Sequence, residues 1–167
     1  MNLDYLDRQA VELLQKDSSI SNAELARRLN ISPPAMLNRV KRLYSEGYIE
    51  RQVLIMDSSK MGFDLLSFIF LNTKLHQIEQ LKEFEQTIQS FPQVLECFTL
   101  AGEYDYILKV VCRNSNDLQQ FIRQLNGISE IIRIHSSISL RKVKFSTELP
   151  IWEKSENCIN TNSGELI

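Results

Sequence analysis

The stretch Ser21–Gly47, SNAELARRLNISPPAMLNRVKRLYSEG, constrains this chain more than any other, because it holds two helix starts with almost no chain between them. Ser21 is placed as an N-cap, Glu24 stands three residues on in the capping-box position, and Ile20 precedes the cap where it can staple against Leu25. Leu25, Ala26 and Leu29 then share one face of a helix of roughly eight or nine residues, with Arg27 and Arg28 beside or opposite it. Asn30 suits the left-handed conformation that ends a helix. Ser32 caps the next helix, Pro33 takes its first position, and Ile31 can staple to Met36. This second helix is expected to bury Met36, Val40, Leu43 and Tyr44, to turn Pro34, Ala35, Asn38, Lys41 and Arg42 outward, and to stop at Gly47. Two capped helices on so short a turn form a helix-turn-helix.

The outward face has the chemistry of a DNA reader. Pro34 and Ala35 are small and lie in the first turn, where a backbone comes close to bases. Asn38 can pair bidentately with adenine, and Lys41 or Arg42 can reach guanine or phosphate. We therefore assign DNA contact to Arg28, Ser32, Pro34, Ala35, Asn38, Arg39, Lys41 and Arg42. The plain alternative is a helical hairpin whose charged face is only solvated. A net charge of −2 looks wrong for a nucleic-acid binder until it is resolved along the chain. Between Arg27 and Arg51 six cations meet two acids, so the basicity sits on the proposed reading unit. One such unit binds modestly, which favours a dimer or larger assembly on double-stranded DNA.

Upstream, Leu3, Leu6, Ala10 and Leu13 recur at helical spacing and predict a helix over the first seventeen residues, completing a three-helix domain over 1–50. Downstream, Tyr48–Met56 favours β structure and reads as a strand or wing, and Asp57–Gly62 breaks the pattern, so 51–63 is strand and linker. The period then alternates. Leu65–Lys74 is a strand, and Ile78, Leu81, Phe84 and Ile88 mark a helix ending before Pro92. Val94–Leu100 and Asp105–Val111 are strands around the turn 101–104. Leu118, Phe121, Ile122 and Leu125 define a helix stopped near Gly127, and Ile131–Val143 is a last strand. The fold class is α+β, a winged helix-turn-helix followed by a ferredoxin-like βαββαβ domain over 64–148 with both helices on one face of an antiparallel sheet. Phe68–Leu71 and Tyr106–Leu108 are apolar at consecutive positions, so both faces of those strands want cover and helices supply only one. A second copy of the chain is the economical cover. The segment 149–167, polar with a lone Trp152, reads as a loose tail.

The composition, 43% hydrophobic and 24% charged, is ordinary for a globular protein. No apolar run approaches the ~20 residues of a membrane span and no signal-peptide core is present, so the expected location is the cytoplasm, with no membrane partner. Cys97, Cys112 and Cys158 form no CxxC pair and meet no histidine cluster, which argues against a metal, a cofactor or a disulfide framework.

The order of these elements resembles the Lrp/AsnC family of bacterial and archaeal transcription regulators over roughly residues 3–150. The motifs that carry the resemblance are Leu3–Leu14, Glu24–Leu25–Ala26, Ile31–Ser32–Pro33, Arg39–Leu43, Gly47–Tyr48–Ile49, Gly102–Tyr106, and Val143–Lys144 with Leu149–Pro150. The resemblance implies an effector and oligomerisation domain, called the RAM domain, that binds amino acids and builds dimers and larger rings. It implies further that Gly102, Glu103, Tyr104, Asp105 and Ser136 line a site between subunits, the Asp105 carboxylate meeting an ammonium. The family often has Thr-x-Thr on the last strand where this chain has Ile134–His135–Ser136, which points to an apolar amino acid. Alternatively, Gly102 is only a tight turn and Asp105 only caps it.

Two other function classes compete. A ferredoxin-like oligomer can be an enzyme, but His76 and His135 have no evident Ser, Cys or metal partner, Cys97 and Cys112 lack an activating base, and no Gly-rich phosphate loop occurs. A protein-interaction module would use the same three helices without nucleic acid. Salt-dependent retention on random duplex separates it from a DNA binder.

Overall fold

The computed structural model describes residues 3–74 and 78–151, so His76, Trp152 and Cys158 lie outside the described residues. The chain divides into two units, Met1–Leu54 together with the stretch from Lys144 onward, and Ile55–Val143.

The first unit holds α1 (Tyr5–Lys16), α2 (Asn22–Arg28) and α3 (Pro33–Ser45). Helix α1 starts with a box that the sequence did not lead us to expect. The Asp4 carboxylate accepts the Asp7 N–H at 2.8 Å, and the Asp7 carboxylate accepts the Asp4 N–H at 3.1 Å. At α2, Ser21 Oγ accepts the Glu24 N–H at 3.2 Å, but the Glu24 carboxylate turns to Arg27 and Arg28 instead of reaching back to the cap, and the helix spans only seven residues. Asn30 takes a φ of 54°, Ser32 Oγ accepts the Ala35 N–H at 3.4 Å, and Gly47 at φ 76° ends α3. The core is Ala10, Leu25, Ala26 and Met36, with Ile20, Ile31 and Val40 packed against it and Leu43 also buried. Tyr44, expected inside, is 37% exposed, because one further residue along the helix rotates it about 100° from Leu43.

The strand expected over Tyr48–Met56 does not form. Residues 51–57 have no regular structure, and Val53, Leu54, Ile55 and Met56 are exposed. β propensity makes a strand only where a neighbouring edge accepts its backbone, and no described strand pairs with this segment. Asp57 Oδ1 then accepts the amides of Ser59 and Lys60, forming a turn within the stretch read as a linker.

The second unit is a four-stranded antiparallel sheet in the order β2-β3-β1-β4. Its elements follow as β1 (Leu65–Thr73), α4 (Ile78–Gln89), β2 (Val94–Thr99), β3 (Tyr106–Cys112), α5 (Ser115–Asn126) and β4 (Ile131–Ile138), the expected βαββαβ sequence. Both helices cover one face. Phe84 and Ile88 of α4 and Leu118, Phe121 and Leu125 of α5 pack on Ile69, Leu71, Leu108 and Val110, with Phe91 edge-on to Phe121 at 5.3 Å. Residue parity leaves Leu66, Phe68 and Phe70 of β1, with Ile107 and Val111 of β3 and Phe98 of β2, on the helix-free face. Strand β4 ends at Ile138, short of the expected Val143. Ile138 already pairs with Ser67 and the Ser139 N–H reaches the Leu66 carbonyl, so β1, starting at Leu65, has no further partner to give. The expected loose tail is tied down at its start, where Leu149 exchanges two hydrogen bonds with the Gln15 side chain at 2.7 and 3.1 Å.

Candidate nucleic-acid interface and effector turn

Helix α3 divides into an outward stripe and a flank. Pro34, Ala35, Asn38 and Lys41 are exposed, and the Asn38 and Lys41 side chains make no hydrogen bond or ion pair among the described residues. A spacing of three to four residues sets Pro34, Asn38 and Lys41 on one line. Arg39 and Arg42 belong to the flank, and Arg42, expected outward, is turned inward. Arg39 Nη1 donates to Asp4 Oδ2 at 2.5 Å and to Asp7 Oδ1 at 2.8 Å, and Arg42 Nη2 donates to Asp7 Oδ2. The Asp7 side chain is wholly buried at the centre of this ion cluster, which joins α1 to α3, while Asp4, Arg39 and Arg42 around it are partly exposed. Asp4 is held below the usual carboxylate range: burial opposes ionisation, but the Asp7 N–H and the Arg39 guanidinium outweigh it. Arg27 of α2 donates to the Glu24 carboxylate through Nε and Nη2, each at 2.7 Å, and Arg28 Nε donates at 2.7 Å, and these three hydrogen bonds bring the Glu24 pKa down to about 2. Of the residues assigned to DNA, then, Arg28, Arg39 and Arg42 already have carboxylate partners, Ser32 is occupied as a cap, and Pro34, Ala35, Asn38 and Lys41 stay open.

Asp7, the centre of this cluster, is the residue that sequence reasoning missed. Its signal was present as Asp4-x-x-Asp7, an acidic capping pair ahead of an apolar helical run.

In the sheet unit, the turn between β2 and β3 is closed by the Leu100 N–H on the Asp105 carbonyl at 2.8 Å, with Gly102 at φ 157°, a region that favours glycine. The Glu103 carbonyl accepts from Asn72 Nδ2 at 2.7 Å and its carboxylate meets Arg133 at 3.3 Å. Asp105 Oδ2 accepts both the Thr73 N–H at 2.7 Å and the Thr73 hydroxyl at 3.2 Å, so the carboxylate fixes the turn to the end of β1 and Oδ1 is its remaining acceptor. The Tyr104 ring lies 5.1 Å from Phe70 and 6.1 Å from His135, with the Arg133 guanidinium 5.5 Å over it.

Ser136 is not part of this group. It pairs with the buried Ile69 and so shares the helix-covered side of the sheet, whereas its neighbour His135 pairs with Phe70 on the other side. Ile134 likewise registers with Leu71 and packs against the core. Period-two geometry therefore gives the turn His135 and Arg133 from β4, and takes Ser136 and Ile134 to the opposite face. A separate open cavity of about 320 Å³ lies between α4 and β2, lined by Glu85, Ile88, Gln89, Cys97, Phe98, Thr99 and Tyr106. There the Tyr106 hydroxyl donates to Glu85 at 3.4 Å, and burial together with the Glu85 charge pushes its pKa up to about 12. No helix among the described residues is long and apolar enough to cross a membrane, and among them no three His, Cys, Asp or Glu side chains gather as metal ligands.

Residues 3–50 match the model of a winged helix-turn-helix DNA-binding domain, and residues 66–149 match that of the Lrp/AsnC ligand binding domain. The chain is 34% identical to the transcriptional regulator AzlB of Bacillus subtilis, over 90% of this chain and 97% of that protein. It is 31% identical to the DNA-binding transcriptional activator DecR of Escherichia coli, over 89% and 99%. Among solved structures it is similar to the transcriptional regulator NMB0573/L-Met complex of Neisseria meningitidis, with a TM-score of 0.85 at 27% identity, covering 89% of this chain and 97% of that one.

Proposed function

The chain belongs to the Lrp/AsnC family of DNA-binding transcriptional regulators, and on that premise we propose that α3 enters the major groove and reads it with Asn38 and Lys41. The observation that carries this reading is the exposed stripe Pro34–Asn38–Lys41, free of internal partners on a helix whose flanking cations are already paired. Pro34 and Ala35 keep the first turn slim, Asn38 offers an amide to adenine, and Lys41 supplies a charge for phosphate or guanine. Arg28 and the cap at Ser32 stand at the rim, and Arg39 and Arg42 act through α1.

The regulator works as a dimer at minimum, packed through the helix-free face of its sheet, with two copies of α3 set ~34 Å apart or a multiple of it to meet successive turns of DNA. The effector is an amino acid with an apolar side chain, held between subunits at the Gly102–Asp105 turn with its ammonium on Asp105 Oδ1. The Neisseria regulator, solved with L-Met, supports that choice. Ser136 faces away from the turn of its own subunit, so it reaches this ligand only as a contribution to a neighbour's site. The domain division follows: 1–50 reads DNA and 64–148 assembles and senses.

Asn38→Ala should cost about 1–3 kcal/mol on the best site and relax specificity, whereas Lys41→Ala should weaken all duplexes alike and flatten the salt slope by about one. Filter binding on selected and random duplexes distinguishes the two, and equal losses on both duplexes for both variants would overturn the assignment.

A further inference from the structure

We propose that Asp7 is a specificity-determining residue, which withholds Arg39 and Arg42 from the phosphate backbone and so keeps non-specific DNA binding low. The inference rests on the reading of α3 as the DNA-facing helix. Its observations are the complete burial of the Asp7 carboxylate, the three donors that meet it (the Asp4 N–H, Arg39 and Arg42), and the inward aim of two guanidiniums flanking an exposed reading stripe.

The arrangement exceeds what helix packing requires. A buried carboxylate is expensive unless fully paired, and an apolar residue would join α1 to α3 at less cost. Arg42 Nε, moreover, is buried with no partner, so Arg42 gives up part of its hydrogen bonding to lie against Asp7. Its side chain is still 41% exposed, and it follows Lys41 directly on the helix, so release from Asp7 would let it swing to the phosphates beside Lys41. Every cation that reaches a phosphate adds affinity for any sequence and steepens the salt dependence. A regulator's useful quantity is the ratio of specific to random binding. Holding two of the six cations of the reading unit on a buried acid raises that ratio without losing the charge that orients the helix.

The test uses the full chain and a random-sequence duplex, with binding measured across a salt series. The variants are Asp7→Asn, Arg42→Gln, the double variant, and Lys41→Ala as reference. In the native background Arg42→Gln should leave the salt slope unchanged. Asp7→Asn should tighten random binding and steepen the slope by about 0.9 for each guanidinium that reaches phosphate, up to about 1.8 for each copy of α3. The double variant should return part of that increase. A role in packing alone would weaken binding and leave the slope where it was, so an unchanged slope in a folded Asp7→Asn protein overturns the proposal. If Asp7→Asn fails to fold by circular dichroism, Arg42→Gln decides: a flatter slope means Arg42 already touches phosphate, and the proposal is overturned, whereas an unchanged slope supports it. Lys41→Ala separates the two levels. An unchanged slope there removes the DNA reading of α3 and this inference with it, while a flattened slope with an equal flattening by Arg42→Gln removes this inference alone.

Discussion

In the helical unit a carboxylate, Asp7, is wholly buried, while in the sheet unit Phe68, Phe70 and Phe98 lie on the face opposite α4 and α5. The buried Asp7 carboxylate is satisfied within its own chain by Arg39, Arg42 and the Asp4 N–H. The apolar face has no such compensation. On the reading proposed above, one unit leaves the Asn38–Lys41 stripe free while Arg39 and Arg42 beside it pair with Asp7, and the other offers the face on which a second copy packs. Specificity, on that same reading, is built inside a protomer, and affinity, through two copies of α3, between protomers.

The largest expected effect comes from charging the open face. Phe68→Glu puts a carboxylate at a position paired with Lys109 and Ser137, in the middle of the proposed seam, and a two-fold interface would bury it twice. Sedimentation should show the native chain as a dimer or larger at micromolar concentration and the variant at least about a hundredfold weaker in self-association, equivalent to ~2.7 kcal/mol, with its secondary structure intact. If the two sediment alike, the face is not the seam and the contrast between the units fails.

A second effect tests whether the sheet unit senses. A ligand that binds only the folded protein stabilises it by RT ln(1 + [L]/Kd), ~2.7 kcal/mol at a hundredfold excess over Kd. In a thermal melt screen of the amino acids, apolar ones should raise the midpoint, and Asp105→Asn should abolish the rise while keeping an acceptor for the Thr73 amide. A winning asparagine or lysine would leave the site in place and refute the apolar preference. No shift with any amino acid would reduce the turn to the structural clasp that its bonds to Thr73 describe.

What the sequence disclosed was local. Ser21, Ser32, Asn30 and Gly47 mark helix ends because capping and positive φ depend on one or two residues, and the βαββαβ order followed from periods of two and 3.6. What it hid was set by partners far along the chain. Arg42 sits where a helical wheel allows it to face outward, and only Asp7, 35 residues away, turns it in. Glu24 was placed as a box residue, but Arg27 and Arg28 compete for it with charge where the cap offers a neutral N–H. Ser136 and His135 are adjacent in sequence, and their faces are settled by a register with β1 that no local pattern states. The length of β4 was likewise decided by where β1 begins.

The smallest expected effect is the acid response, and it should fall mainly on the helical unit. Asp4 and Glu24 both have folded pKa values below their ordinary ones, Glu24 at about 2 against 4.5. A carboxylate with a depressed folded pKa stabilises the fold above its unfolded value and loses that contribution as pH falls through the folded value. The helical unit should therefore weaken from about pH 4.5 downward for Glu24, and from about pH 3.8 downward for Asp4. The Glu24 share should be small and screened by salt, since the group is fully exposed and its partners are surface arginines. The Asp4 share should survive salt better, because its carboxylate also takes the Asp7 amide and so holds the α1 start against the ion cluster. Thermal melts followed by circular dichroism from pH 5 to pH 2, repeated at high salt, read the two shares separately. Glu24→Gln should remove the salt-sensitive part and Asp4→Asn, which preserves a capping oxygen, the salt-resistant part. A double variant that loses stability with acid as steeply as the native chain would place the response on other carboxylates and end the claim that the helical unit is held together by its paired charge.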